Sequence, residues 1–468
     1  MKSIKINKQN GFKNIFISLL IFIVLNMFAI FTLGISSVYG SFLLNILIIS
    51  LMVAYICKRK FLYFESTLIL FYVLFFIIAP IFQLKQGYLP NTFPINNGLI
   101  IRVNIYLCIF LVSYNFFRFI LLNKNFDKNI YNEDLIVSYK TVSLVITIMF
   151  LIVLLIYIPD ILKKIIFRTS EFEDNMNKST SLIINKYFFM LPFFLFTYYL
   201  YIYKNKFKNR KVLINLVVFF LLFAFIKNPF LEKRNAIGPL YLTILFYLNR
   251  KKLNTRKFLL KLLILFIIFF PASTIITHSE YGLRDIINGN VQIIKGIMNI
   301  NYSEQFNTLH YDAWSNFIAT VDFVKNNGIT KGHQLLGSML FFIPRNIWNN
   351  KPESTGIVIG NYLINYYGMW FNNLSNPFPS EGYINFGLIG MILFALVLAK
   401  LGITCKKYFE IGGYYEVISF YITFHLIFLM RGDLMNGIAY LSGVIFAIHF
   451  TPKIIDEIIG VLWNKEPL

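Results

Sequence analysis

Negative charge is what this sequence has least of: 22 Asp and Glu residues stand against 44 Lys and Arg in a chain of 468. Charged residues of both signs make up only 14% and hydrophobic ones 57%. A soluble fold of this length would carry far more apolar surface than its core could bury. Cysteine is nearly absent too. Cys57, Cys108 and Cys405 sit in or beside apolar stretches, which leaves no external pair and implies neither a disulfide framework nor a metal site. A glycine-rich phosphate loop, the dinucleotide-binding glycine pattern and the HExxH metal motif are all missing, which argues against soluble nucleotide chemistry and for no cofactor. Neither the short alternating segments of a β-barrel nor an internal repeat of the inverted-transporter kind is present.

What the chain does have is apolar runs of about 17 to 25 residues, the length that crosses a hydrocarbon core as a helix with every backbone group satisfied internally. They fall near 14–33, 39–57, 62–82, 98–122, 141–158, 182–203, 211–227, 236–249, 258–277, 383–403, 415–430 and 435–450. The expected fold class is all-α: a polytopic integral membrane protein with about twelve transmembrane helices. The first run follows a basic start (Lys2, Lys5, Lys8, Lys13) but is longer than a signal-peptide core and lacks a small-x-small cleavage site, so it reads as a retained helix.

An even number of spans puts both termini on one side, and the basic residues gather there: Lys58-Arg59-Lys60, the segment 204–211, the segment 250–261 and both tails. The positive-inside rule makes that side the cytoplasm, as for a multi-pass protein of a bacterial inner membrane. The surplus of positive charge is thereby used for orientation and gives no reason to invoke nucleic acid as a partner. Three parts follow: spans one to nine in 1–277, a large external loop in 278–380, and spans ten to twelve with a cytoplasmic tail in 381–468. A loop that long is usually functional or a small folded element. Within it, 312–327 places Trp314, Phe317, Ile318, Val321 and Val324 at helical spacing. That is an amphipathic helix, either lying on the membrane or packed on the bundle.

The outer side should be the less basic one, so cations recurring there need a reason. Lys233 and Arg234 stand at the mouth of the eighth span close to Lys227, Arg345 and Lys351 flank Trp348, and Arg431 shares a tight turn with Asp433. Planar guanidinium forks suit a diphosphate, because they offer bidentate, charge-assisted hydrogen bonds. The plainer alternative is that these side chains reach to lipid phosphates or pair with nearby acids such as Glu232 and Asp433. Glu381 precedes Gly382, Gly387 and Gly390, so a carboxylate sits where backbone can turn sharply and pack closely. It is a candidate general base or sugar ligand, or simply a carboxylate favoured by a helix N-terminus. His278, His310 and His333 are the outer histidines, Asp312 is a weaker base on a segment expected to be exposed, and His425 and His449 fall inside helices.

The order Gly337, Ile343-Pro344-Arg345, Trp348, Lys351-Pro352, Glu381-Gly382-Tyr383, Asn385-Phe386-Gly387 and Gly390 in an outer loop, followed by an external arginine between the last spans, resembles bacterial oligosaccharide repeat-unit polymerases of the Wzy type. The segment 233–240, KRNAIGPL, looks like the arginine-bearing helix mouth those polymerases share with O-antigen ligases. The resemblance implies a membrane glycosyltransferase that builds O-antigen or capsule polysaccharide from undecaprenyl-diphosphate-linked oligosaccharides on the outer face of the inner membrane. It implies Arg234, Arg345, Arg431, Lys233 and Lys351 against the diphosphate, Glu381 or His310 as base, and no metal. Trp348 and Tyr383, with Trp370, Tyr366, Tyr367 and Phe371, are aromatic surfaces for sugar faces or, alternatively, an aromatic belt at the membrane interface. Membrane lipids, a chain-length regulator and a flippase are the implied partners. An O-antigen ligase, or a lipid-linked oligosaccharide flippase, are the alternatives. The long loop and the near absence of charge at mid-helix, Glu65 and Arg102 excepted, weigh against transport.

Overall fold

A computed structural model of the chain describes residues 8–122, 139–167, 181–229, 234–278 and 301–463. Helices account for all regular structure among these residues, and no strand occurs. Every one of the apolar runs is helical. They form α1 (Lys8–Leu33), α2 (Ser37–Ile56), α3 (Tyr63–Gln86), α4 (Asn97–Leu122), α5 (Tyr139–Phe167), α6 (Ser181–Ile202), α7 (Arg210–Ile226), α8 (Arg234–Leu248) and α9 (Thr255–His278). After residue 300 come α10 (Ala313–Asn327), α11 (His333–Met339), α12 (Thr355–Tyr367), α13 (Phe378–Ile411), α14 (Tyr415–Arg431) and α15 (Leu434–Trp463). Among the described residues, six stretches are long and apolar enough to cross a membrane: Ile15–Leu33, Ser37–Ile56, Tyr63–Gln86, Asn97–Leu122, Lys140–Pro159 and Phe378–Ile411. This is the architecture of a membrane-embedded protein.

Local chemistry sets the boundaries. Ser36 caps α2 by accepting from the Tyr39 N–H, Asn209 caps α7 by accepting from the Lys211 N–H, and α3 stops at Gly87 with φ 80°. Helices α5 and α15 run past the apolar windows of the sequence, to Phe167 and Trp463. Hydropathy ends where charged residues begin, whereas the hydrogen-bonded backbone continues.

Helix α14 lies at the centre, packed on α3, α8 and α13. An aromatic seam seals this junction, with Tyr63 4.7 Å from Phe258, 4.9 Å from Phe409 and 5.6 Å from Phe420. On one flank α13 packs along α4 and α2 along both α1 and α4; on the other α15 packs along α6 and α5. Glu65 is not an open mid-helix carboxylate: Arg118 Nε meets its Oε1 at 2.7 Å, both side chains are buried, and the Tyr55 ring covers the guanidinium. The pair ties α3 to α4.

One expectation changes and one open alternative closes. The stretch drawn from the sequence as one span from residue 383 begins earlier and is broken, because α13 leaves helical geometry at Phe386 and at Gly387, where φ is +63°. A Cβ on Gly390 would lie 2.0 Å from the Gly382 carbonyl oxygen. Residues 378–385 therefore form a short arm folded against 388–411, and only glycine permits that contact. Of the two placements open to the 312–327 helix, it takes the one packed on the bundle. Trp314, Phe317 and Ile318 of α10 are fully buried. Trp314 Nε1 donates to Asn104 Oδ1 (2.9 Å), and Asn104 in turn binds Ser41 and Asn45, fastening α10 to α2 and α4.

Residues 301–377 thus make a cap at one end of the bundle. Gln83 on α3 holds the Phe306 and Tyr311 carbonyls (2.9 and 3.1 Å). Helix α12 lies directly on the extended segment after it, where a Cβ on Gly356 or Gly360 would meet the Leu374 or Asn372 carbonyl oxygen at 2.0 or 2.1 Å.

Candidate functional site

The cap end of α14 is where the separate segments converge. Arg431, the last residue of α14, donates from Nη2 to the Leu309 carbonyl (2.6 Å) and approaches Asp312 Oδ1 at 3.4 Å. Asp433 is not its partner. Its Oδ1 caps α15 by accepting from the Met435 and Asn436 N–H groups (2.8 and 3.3 Å), and its Oδ2 accepts from the Gly356 N–H at 3.4 Å. Asp312 is buried, contrary to the exposed placement expected from the sequence, because the cap folds over it. Its two oxygens accept from Ser375 Oγ (2.6 Å) and Asn316 Nδ2 (2.9 Å) besides the arginine. His310 is half-buried in the 3-10 turn Leu309–Tyr311, one residue from the carbonyl that Arg431 grips.

Glu381 sits on the short arm of α13 and is 1% exposed. Thr355 Oγ1 donates to its Oε2 (2.8 Å) and the Leu434 N–H to its Oε1 (3.4 Å). The Glu381 side chain therefore joins the N-termini of α12 and α15. Burial pushes the neighbouring Asp433 carboxyl above its ordinary value, opposed by hydrogen bonds from Ser354 and from backbone N–H groups. The polar chain continues through Asn376, which accepts from Ser380 Oγ and Thr320 Oγ1 (2.9 and 3.0 Å). The cap turn at 309–312, the start of α12, the arm of α13 and the turn between α14 and α15 thereby form one hydrogen-bonded junction.

Arg345, Trp348 and Lys351 form a second cluster in the loop after α11. Arg345 is exposed, with Nη1 and Nη2 on the Lys351 and Pro352 carbonyls (2.7 and 3.4 Å). Lys351 is buried, and its ammonium donates to the Phe341 and Ile343 carbonyls (2.5 and 2.9 Å). Burial, with the nearby Arg345 charge, holds that ammonium below its ordinary pKa. Trp348 packs edge-on to His333 at 6.3 Å, whose Nε2 lies 3.2 Å from the Asn350 carbonyl.

Tyr383 is elsewhere on the arm, against Tyr106 (5.1 Å) and Phe317 (6.1 Å). Arg234 opens α8, which packs on α14, but its side chain and all of Lys233 lie outside the described residues. His425 is buried with Nε2 3.0 Å from the Gly437 carbonyl, a link between α14 and α15. No group of three or more metal-ligating side chains occurs among the described residues.

Comparison of the chain with protein-family models, with curated proteins and with solved structures finds no match.

Thr355, Gly356, Asn316 and Ser375 were not singled out in the sequence. A signal existed for one of them: Asp312, Asn316 and Thr320 recur every four residues, so one stripe of α10 is polar and, on a buried helix, must meet polar partners. Thr355, Gly356 and Ser375 follow no period and become visible only when the cap is folded.

Proposed function

We propose that this chain is a membrane glycosyltransferase that joins undecaprenyl-diphosphate-linked oligosaccharide repeat units into a surface polysaccharide, O-antigen or capsule. In this reading about twelve helices span the inner membrane of a bacterium, both termini are cytoplasmic, and the cap lies on the outer face. The observation that carries the proposal is the convergence at Arg431. A partly exposed guanidinium, 28% accessible at its side chain, is held by Leu309 and Asp312 beside His310, at the end of the bundle where the cap and the short arm bearing Glu381 meet.

The chemistry follows from those groups. A sugar hydroxyl of the acceptor unit attacks the anomeric carbon of the donor glycan. The bond from that carbon to the diphosphate oxygen breaks, and undecaprenyl diphosphate leaves with the electron pair. Arg431 balances the charge that develops on the leaving diphosphate. His310, a half-buried imidazole one residue from the carbonyl that Arg431 holds, takes the hydroxyl proton as general base. Glu381, enclosed and fully hydrogen-bonded, is a positioning residue that fixes the arm and the two helix N-termini. Lys351 shapes the Arg345 loop. A chain-length regulator and a flippase are the partners this activity calls for.

The test is the banding of surface polysaccharide from a strain lacking the chain and complemented with Arg431→Ala, His310→Ala or wild type. The reading expects long polymer with wild type and single repeat units with either variant at matched expression. Long polymer that fails to reach its lipid anchor in the deletion strain would favour a ligase. Repeat units retained on the cytoplasmic leaflet would favour a flippase.

A further inference from the structure

Helix α11 and the loop after it present an unusual surface. Leu336, Met339, Phe342 and Ile347 are 51%, 56%, 37% and 78% exposed, four large apolar side chains within twelve residues of sequence. Both cations of the same loop place their donors on the loop's own carbonyls. As described above, Arg345 spends its guanidinium on the Lys351 and Pro352 carbonyls, and the Lys351 ammonium is buried on those of Phe341 and Ile343.

Five backbone N–H groups of the segment are satisfied in the same internal way. The Leu340, Ile343, Ile347, Trp348 and Lys351 N–H groups donate to carbonyls three or four residues back, and His333 meets the Asn350 carbonyl. A loop in water has no need of this, because water pairs with exposed carbonyls at little cost. Irregular backbone at the edge of hydrocarbon does need it, because an unpaired polar group there costs several kcal/mol. The surface is also continuous with an apolar face of the bundle. A Cβ on Gly332, just before α11, would touch the Phe386 ring at 2.8 Å. Beyond Phe386, α13 exposes Ile389, Leu393 and Val397 at 70%, 48% and 58%.

We propose that residues 333–350 lie in the interfacial layer of the lipid bilayer at the cap end, with Leu336, Met339, Phe342 and Ile347 at the acyl-chain boundary. Arg345 and Lys351 serve as internal hydrogen-bond donors that let a non-helical segment sit there. Exposed Asn346, Asn349 and Asn350 supply the headgroup-level polar groups. This placement does not depend on the catalytic reading.

The experiment is collision accessibility of a nitroxide attached at Ile347→Cys in the full chain, with Cys57, Cys108 and Cys405 replaced by alanine, in phosphatidylcholine–phosphatidylglycerol nanodiscs. Lys325→Cys, on the exposed end of α10, is the aqueous reference. The proposal expects the label at 347 to collide several-fold less with a water-soluble nickel chelate than the label at 325, and more with oxygen. Equal chelate access at the two positions would overturn it. Protection at 347 accompanied by dipolar broadening would also overturn it, since a second copy of the chain would then be covering the face.

Discussion

Replacing Asp312 by Asn separates the proposed architecture of the junction from a loosely packed one. Both Asp312 oxygens face donors: Ser375 and Arg431 on Oδ1, Asn316 on Oδ2. An asparagine keeps the shape but turns one acceptor into a donor, so either orientation of the amide sets N–H against N–H or against the guanidinium. The arginine contributes the smaller share, since its side chain is 28% exposed at 3.4 Å. The buried Asn316 and Ser375 contacts carry the rest, and we expect a loss of about 3 kcal/mol. Asp322 is the internal control. It also lies buried within the cap, yet the hydroxyls of Tyr362 and Tyr367 (both 2.7 Å) and the Asn326 amide all converge on Oδ2 alone. Asn at 322 can offer its carbonyl oxygen to that cluster and point its amide away, at a cost of about 1 kcal/mol. The assay is thermal loss of the monodisperse peak of detergent-purified protein. Asp312→Asn should melt well below Asp322→Asn, and equal or reversed melting temperatures would refute the geometry at 312.

Gly356→Ala should abolish a folded cap, since its Cβ would fall 2.0 Å from a backbone carbonyl oxygen that cannot move aside; protease resistance of the 301–377 region reads this out. Glu65→Ala should cost about 3–5 kcal/mol by stranding buried Arg118, with most of the loss recovered in Glu65→Leu/Arg118→Met; the same melting assay decides. Asp433 carries a pH signature. Its folded carboxyl is raised above the ordinary 3.8, so its contribution to stability is full below that value and falls as pH rises through the folded one. Asp433→Asn should flatten this component of the melting temperature as pH rises above the ordinary carboxyl value of 3.8, and an unchanged difference curve would contradict the burial argument.

Helix positions were legible because hydropathy and helical length are set by the same bilayer. Each apolar run became a helix, from α1 at Lys8–Leu33 to α15 at Leu434–Trp463. The break at Phe386–Gly387 was only half legible. Three glycines announced close packing, but a window over 383–403 cannot show that the chain folds back so that Gly382 meets Gly390. The helical period of 312–327 gave α10 correctly, while its burial depended on Asn104 and Gln83 from distant helices. Among the site residues, Arg431, His310 and Glu381 gather at one junction. Charge type alone could not distinguish Arg431, held at a partly open position, from Lys351, consumed by two carbonyls ten and eight residues back in its own loop.

The most direct test of the central claim is reconstitution. The purified chain in nanodiscs is given synthetic undecaprenyl-diphosphate-linked repeat units, and glycan length and released undecaprenyl diphosphate are followed together. The account predicts a ladder of lengthened, still lipid-linked glycan with one undecaprenyl diphosphate released per added unit, lost in Arg431→Ala and in His310→Ala. Substrate that remains unextended with wild-type protein and active acceptor present would contradict it.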